Sequence, residues 1–371
     1  MYRLNKYKAV RGIAKSSICL ILLIGIVSCD DNPVDVDLSN AHWDYIGPSG
    51  VAAWNLEVAG EILYLSGSEY GLMSYNYKEN MDWKLLGLAD SSGLEPPRWG
   101  VADVDIFNDT LLVAVYNYRR GGPLNERGVW RSEDNGVTWI PSDSGMLSAD
   151  WMRSSMWSIK RSPDKTNILV TSYPIYKSGD GGKIWQLKYP DRNRIGSFPF
   201  VHKIKWNAYK PGEVWVFGSG GVFNPTLRKS EDYGETWEFI SLNLGGDTPI
   251  YYIEFDNVAN ENVYLGSYFG LLVSTNGGDD WINSSWNSES PPPFILSNTK
   301  RKPYRAITSH PKNLPITFLS EGEKLYYTKD SGKTFEILSS EIEITILSMK
   351  FASDGNSLFI GTYDGIYVLN F

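Results

Sequence analysis

The apolar positions of this chain fall in short runs of Val, Ile, Leu, Phe and Tyr, each cut off by Gly, Asn, Asp or Ser. One stretch reads Val101 to Phe107, Thr110 to Val115 and Gly128 to Arg131; another reads Ile250 to Phe255, Asn262 to Gly266 and Gly270 to Val273. Runs of this length, rich in β-branched and aromatic residues and bounded by turn formers, predict antiparallel strands in an all-β fold.

The runs recur with a punctuation mark. Ser132-Glu133-Asp134-Asn135-Gly136-Val137-Thr138-Trp139 reappears as Ser230-Glu231-Asp232-Tyr233-Gly234-Glu235-Thr236-Trp237, both fitting S-x-D-x-G-x-T-W. Looser copies run from Ser178 through Asp180 to Trp185, from Ser274 through Asn276 to Trp281, and from Thr328 through Asp330 to Phe335; a sixth, Ser74 to Trp83, has two extra residues in its turn. The residue types suit a strand-turn-strand. An Asp or Asn carboxyl or amide oxygen accepts hydrogen bonds from the amides of its own turn, Gly supplies φ > 0, and Trp packs back as the next strand starts.

This repeat resembles the Asp-box, or bacterial neuraminidase repeat, found in sialidases, sortilin-type receptors, xyloglucan-degrading hydrolases and photosystem assembly factors. The resemblance implies a structural role for the box residues. The anchor positions 76, 134, 180, 232, 276 and 330 are separated by 58, 46, 52, 44 and 54 residues, about the length of a four-stranded propeller blade. At the C-terminal end, Gly365 to Leu369 matches the third strand that precedes each box and no fourth strand follows; at the other end His42 to Gly47 looks like a fourth strand without its first three. The expectation is a single seven-bladed β-propeller over residues 42–371, its last blade formed by residues 343–371 plus the N-terminal strand, which closes the ring and removes open sheet edges.

If each box joins strands three and four, the opposite face carries the channel mouth and the longest loops. Three insertions lie there: Gly87 to Arg98, Asn117 to Arg127, and Asn283 to Lys302 with Ser290-Pro291-Pro292-Pro293. Trp54, Arg98, Trp99, Arg153, Trp157, His202, Tyr251, Tyr304 and Arg305 fall where inner strands begin, and aromatics with arginines around a concave mouth suit a carbohydrate, peptide or carboxylate ligand. With 14 Trp and 23 Tyr in the chain, an aromatic at such a place is more often packing than platform. His42, His202 and His310 sit in different repeats, so no metal or His-based nucleophile is indicated and no cofactor is implied.

The N-terminus sets the expected compartment. Arg3, Lys6, Lys8, Arg11 and Lys15 precede an apolar run, Ser16 to Val27, as in an export signal. Ile26-Val27-Ser28-Cys29 resembles the bacterial lipobox, which implies diacylation of Cys29, a polar tether over 30–41, and a membrane-anchored protein of the cell envelope. Acyl chains add about 0.8 kcal/mol per buried CH₂ to such an anchor. Without the signal, 30 Lys and Arg face 43 Asp and Glu, a formal charge of −13 that argues against nucleic acid as a partner.

A sialidase would need an Arg-Ile-Pro segment early in the chain. The nearest string, Arg194-Ile195-Gly196, lacks the proline and follows the third box. Arg98, Arg153 and Arg305 could form a carboxylate-binding trio, but no Tyr-Glu nucleophile pair emerges from spacing. A glycosidase of the xyloglucan-degrading type needs two carboxylates roughly 5 to 10 Å apart, and Glu57, Asp103, Asp105, Asp150 and Glu254 are candidates. The sequence therefore points to a monomeric envelope propeller that binds a glycan, peptide or protein on the face opposite the boxes, with a glycoside hydrolase as the alternative.

Overall fold

A computed structural model of the chain describes residues 38, 41–67, 70–88, 99–117, 128–146, 156–172, 174–189, 201–218, 227–242, 249–267, 270–283, 304–312, 315–338 and 342–371. Cys29 and its surroundings, Arg98, Asp150, Arg153 and most of the three long insertions lie outside the described residues. So do the side chains of Trp99 and Tyr304, whose backbones begin strands.

Seven four-stranded antiparallel sheets form a β-propeller. The inner strands of blades one to seven are Asn55–Ala59, Trp99–Phe107, Ser158–Arg161, Lys203–Trp206, Ile250–Phe255, Tyr304–Ser309 and Ile346–Phe351. In blades one to six the four strands follow one another in chain order. Blade seven takes its inner three strands from the C-terminal end, and its outer strand is His42–Gly47, which pairs antiparallel with Ile366–Asn370 in the register Trp43↔Leu369 and Tyr45↔Tyr367. One strand from each end of the chain thus closes the ring.

The apolar alternation along each strand fills the space between blades. Leu369, Ile360 and Met349 of blade seven, for example, pack with Phe318 and Leu325 of blade six in one buried cluster. The repeated turns make the blades fit. In blade two the Ser132 Oγ accepts the Gly136 N–H at 2.8 Å and donates to Asp134 at 2.7 Å, and Asp134 in turn accepts the Thr138 N–H at 2.8 Å and the Thr138 hydroxyl at 2.7 Å. The same bonds recur around Asp232 and Asp330, and Asp180 and Asn276 keep the hydroxyl and backbone ones. A carboxylate that accepts several such bonds is stabilised in its charged form, and these hold Asp134 down at about 2.

The turn glycine has a second duty. Gly181 and Gly182 have φ +79 and +87, and a Cβ on Gly182 would come within 2.7 Å of Leu112 in the preceding blade. Gly332 meets Tyr264 of its preceding blade at the same 2.7 Å. Glycine is therefore required both by the left-handed backbone and by the close approach of the neighbouring sheet. The tryptophans that close these turns add a bolt between blades: the indole N–H of Trp83 donates to Ile46 O, that of Trp139 to Leu86 O and that of Trp185 to Ser142 O, each a carbonyl on the outer side of the preceding blade. Trp237 departs from this and donates to Gly234 O within its own turn.

Candidate functional site

The inner strands alternate between residues buried in the blade interfaces and residues facing the axis. Leu56, Ile159, Ile204, Ile253 and Met349 belong to the interface clusters. Their neighbours Glu57, Lys160, Lys205, Glu254 and Lys350 form ion pairs across the axis, and Lys203 and Tyr252 lie within electrostatic reach of them. Lys160 of blade three donates to Glu57 of blade one at 2.5 Å and to Asp103 of blade two at 2.8 Å; Lys350 of blade seven reaches the other oxygen of Glu57 at 2.7 Å. Lys205 of blade four holds both oxygens of Glu254 of blade five at 2.7 and 2.6 Å. Asp103, 1% exposed, is further satisfied by Ser158 Oγ, the Ile159 N–H and Asn55 Nδ2.

This arrangement sets the charge states. Burial alone would raise the Glu57 carboxyl, but Lys160 and Lys350 outweigh it and hold the group well below the usual carboxylate range. Lys160 is buried too, which opposes its charge, yet Asp103 and Glu57 keep it protonated far into the alkaline range. Burial pushes Glu254 up against the pull of Lys205, and raises Tyr252 with help from Glu254 and Glu57. Lys203 differs from the other three lysines: among the described residues its ammonium has no hydrogen bond or ion pair. Burial holds it below the ordinary lysine range, with the repulsion of Lys160 set against the attraction of Asp103 and Glu57.

Of the carboxylates named from the sequence, Glu57, Asp103 and Glu254 thus face the axis. Asp105 does not belong to this group; it accepts from the backbone N–H and Nε of Arg161 at 3.0 Å, both side chains being 7% exposed, in a pair that ties blade two to blade three.

At the channel mouth, opposite the repeated turns, aromatics gather from different blades. Trp157, just before the inner strand of blade three, stacks on Tyr116 of blade two with ring centres 5.9 Å apart and planes 3° apart; His202 of blade four packs on Trp157 at 5.0 Å. Trp54, 39% exposed, takes the edge of Tyr363 from the blade-seven turn at 5.4 Å. The Arg305 guanidinium lies over the Tyr251 ring at 5.5 Å, joining blades six and five. The structure therefore brings Trp157 and His202 together, pairs Tyr251 with Arg305, and sets Trp54 apart beside Tyr363. His310 is on the other side, buried against Phe351 with its Nε2 3.1 Å from Gly355 O. Among the described residues no group of His, Cys, Asp and Glu is placed to hold a metal ion.

No motif marks Lys160, Lys203, Lys205 and Lys350. Their signal is polar residues at every second position of strands that are otherwise innermost and apolar, as in Lys203-Ile204-Lys205-Trp206 and Ser348-Met349-Lys350-Phe351. Such a pattern separates an axial face from an interface face once the ring is known.

Burial and the adjacent Lys203 push the His202 imidazole down to about 4 from 6.5. The unfolded chain then takes up this proton first, so the contribution of His202 is complete above pH 6.5 and is lost as pH falls toward about 4. At 1.36 kcal/mol per unit the loss is about 3 kcal/mol. Denaturant midpoints at pH 7.5 and 4.5 should therefore differ less in His202→Gln than in wild type; an equal difference would remove His202 from the acid response.

No protein-family model matches the chain, and no curated protein does. Solved structures do. A xyloglucanase of family GH74 from Xanthomonas campestris is similar over 88% of this chain with 16% identity and a TM-score of 0.68. This chain spans about half of that enzyme, 53% of its length. YCF48 bound to D1 peptide is similar over 89% of this chain and 96% of its own, with 13% identity and a TM-score of 0.61. U3-55K is similar over 89% of this chain and 98% of its own, with 9% identity and a TM-score of 0.60. These likenesses are of fold: the neighbours with which this chain shares its propeller include glycoside hydrolases and a protein bound to a peptide.

Proposed function

We propose that the protein is a recognition propeller of the bacterial cell envelope, anchored by lipid on Cys29 through the 30–41 tether. It binds a peptide, protein or glycan at the channel mouth opposite the repeated turns, and those turns are Asp-boxes in a structural role. The observation that carries this reading is the neutralisation of the channel carboxylates. Glu57, Asp103 and Glu254 each have an ammonium within 2.8 Å. A glycosidase needs one carboxylic acid carrying a proton and a second carboxylate free to attack or to activate water. Carboxylates clamped by lysines serve neither role, whereas a rigid polar floor beneath Trp157, His202, Trp54 and Tyr251 suits recognition. The peptide bound by YCF48 supports the same reading for a propeller of this size.

The second reading, a glycoside hydrolase, is favoured by one feature: Glu57 is held down and Glu254 pushed up within one channel, the divergence expected of a base and an acid. Purified protein on glycan and peptide arrays, assayed in parallel for sugar release from xyloglucan and sialyl-lactose, separates the two. We expect retained ligand, at least a tenfold loss of retention in Trp157→Ala, and no sugar released. Turnover that disappears in Glu254→Gln would establish the hydrolase instead.

A further inference from the structure

We propose that Lys203 is an anion anchor, taking one carboxylate of the ligand that enters the channel mouth; this rests on the recognition reading above. Four ammonium groups, Lys160, Lys203, Lys205 and Lys350, face three carboxylates, Glu57, Asp103 and Glu254. The ion pairs use three of each and leave Lys203 over. It opens the inner strand of blade four, directly after His202 and two residues nearer the mouth than Lys205. An arriving group therefore meets Lys203 before it meets the paired lysines.

The chemistry of the ligand follows from the surplus. A partly buried lysine without an ion pair is stabilised as its ammonium by a single incoming anion, and a lysine ammonium is a compact point charge suited to a single carboxylate oxygen. The chain as a whole carries a formal charge of −8, so its surface repels anions and the channel is distinguished from that background. Deeper passage is obstructed where Lys160 bridges from blade three to blade one, which favours an acid group at the tip of its carrier. Trp157 and His202 beside Lys203 offer apolar contact to the adjoining body. A carboxylate of this kind comes from a peptide C-terminus or from a free small acid.

The test is calorimetry on the full-length protein. The probes are a heptapeptide ending in phenylalanine as free acid, the same peptide as amide, N-acetyl-phenylalanine and D-glucuronate. We expect the peptide acid to bind at least tenfold more tightly than the amide, and Lys203→Met to abolish that difference. Lys203→Arg should keep part of it, and Lys312→Met, on the opposite face, all of it. N-acetyl-phenylalanine equalling the peptide acid would assign a free small acid, and glucuronate bound with the same dependence on Lys203 an acidic sugar; both uphold the anchor. Acid and amide bound alike, no acid bound, or an unchanged Lys203→Met would overturn it. Because the acid–amide comparison on unmodified protein is decisive alone, a variant that fails to fold does not rescue the idea. Array ligands retained without an acid group would leave the recognition reading intact while this inference fails.

Discussion

Lys160→Met is expected to destabilise the folded protein by about 3–5 kcal/mol at neutral pH, the range for removing one partner of a buried charge cluster. Lys160 is bonded to Glu57 and Asp103 at once, and Asp103 is 1% exposed. Without the ammonium, Glu57 keeps Lys350 and Asp103 keeps only neutral donors, so a carboxylate is left in a recess that water enters poorly. The sign of the pH dependence follows from Glu57. Its folded pKa is depressed, so the pairing contributes fully above the unfolded value of 4.5 and is lost as pH falls below it. The penalty in Lys160→Met should accordingly shrink in acid, where the orphaned carboxylates can take up protons. Denaturant unfolding at pH 7.5 and pH 4 checks both points. A penalty below about 1 kcal/mol at pH 7.5 would mean that the axial pairs behave like surface ion pairs, and the rigid floor assigned to the site would have to be abandoned. The double variant Asp103→Asn with Lys160→Met should recover part of the loss, because it removes an unpaired charge along with its partner.

The second large effect concerns closure. Deleting residues 41–47 is expected to lower stability on the order of 5 kcal/mol and to make the protein aggregate on warming. Five residue pairs join His42–Gly47 to Ile366–Asn370, and a net hydrogen bond contributes roughly 0.5–1.5 kcal/mol. Trp43 also packs on the cluster that contains Leu369 and Phe318, and Trp83 of blade one donates to Ile46 O. Loss of the strand therefore exposes a sheet edge and undoes a bond that links blade seven to blade one. An open edge of this kind is a template for intermolecular pairing. Light scattering during thermal unfolding, with a synthetic peptide of residues 41–47 added in trans, is the measurement. An unchanged midpoint and no scattering would show that the ring holds without its N-terminal strand.

Much of this architecture could be read along the chain. The S-x-D-x-G-x-T-W copies placed the turns, and the bonds around Asp134 and Asp232 are those their residue types call for. Strand boundaries shifted by a residue or two: the second run of blade five is Val263–Ser267, not Asn262 to Gly266, because Asn262 spends its backbone and side chain on turn contacts with Asp256, Ala259 and Ser331. The unmatched ends implied the composite seventh blade, since a three-stranded remainder and a lone strand are each unsatisfied alone. These features are local or periodic, and local backbone chemistry leaves a mark that composition cannot hide.

The site was legible only in outline. Trp157 and His202 could be placed at strand beginnings, but the stacking of Trp157 on Tyr116 and of His202 against Trp157 depends on three blades turning by similar angles about one axis. Glu57, Asp103 and Glu254 stood out as acids on inner strands, and nothing in their neighbourhoods announced the lysines that hold them. Lys160 and Glu57 are 103 positions apart and come from blades that are not adjacent. The blade repeat and the turn chemistry are each encoded within some fifty residues of chain, and the manner of closure followed from two unmatched strands, His42–Gly47 and Ile366–Asn370, at opposite ends of that repeat. Which charges cancel, and that Lys203 is left over, follow from the assembled ring alone, because that balance exists solely where seven strands converge on a common axis.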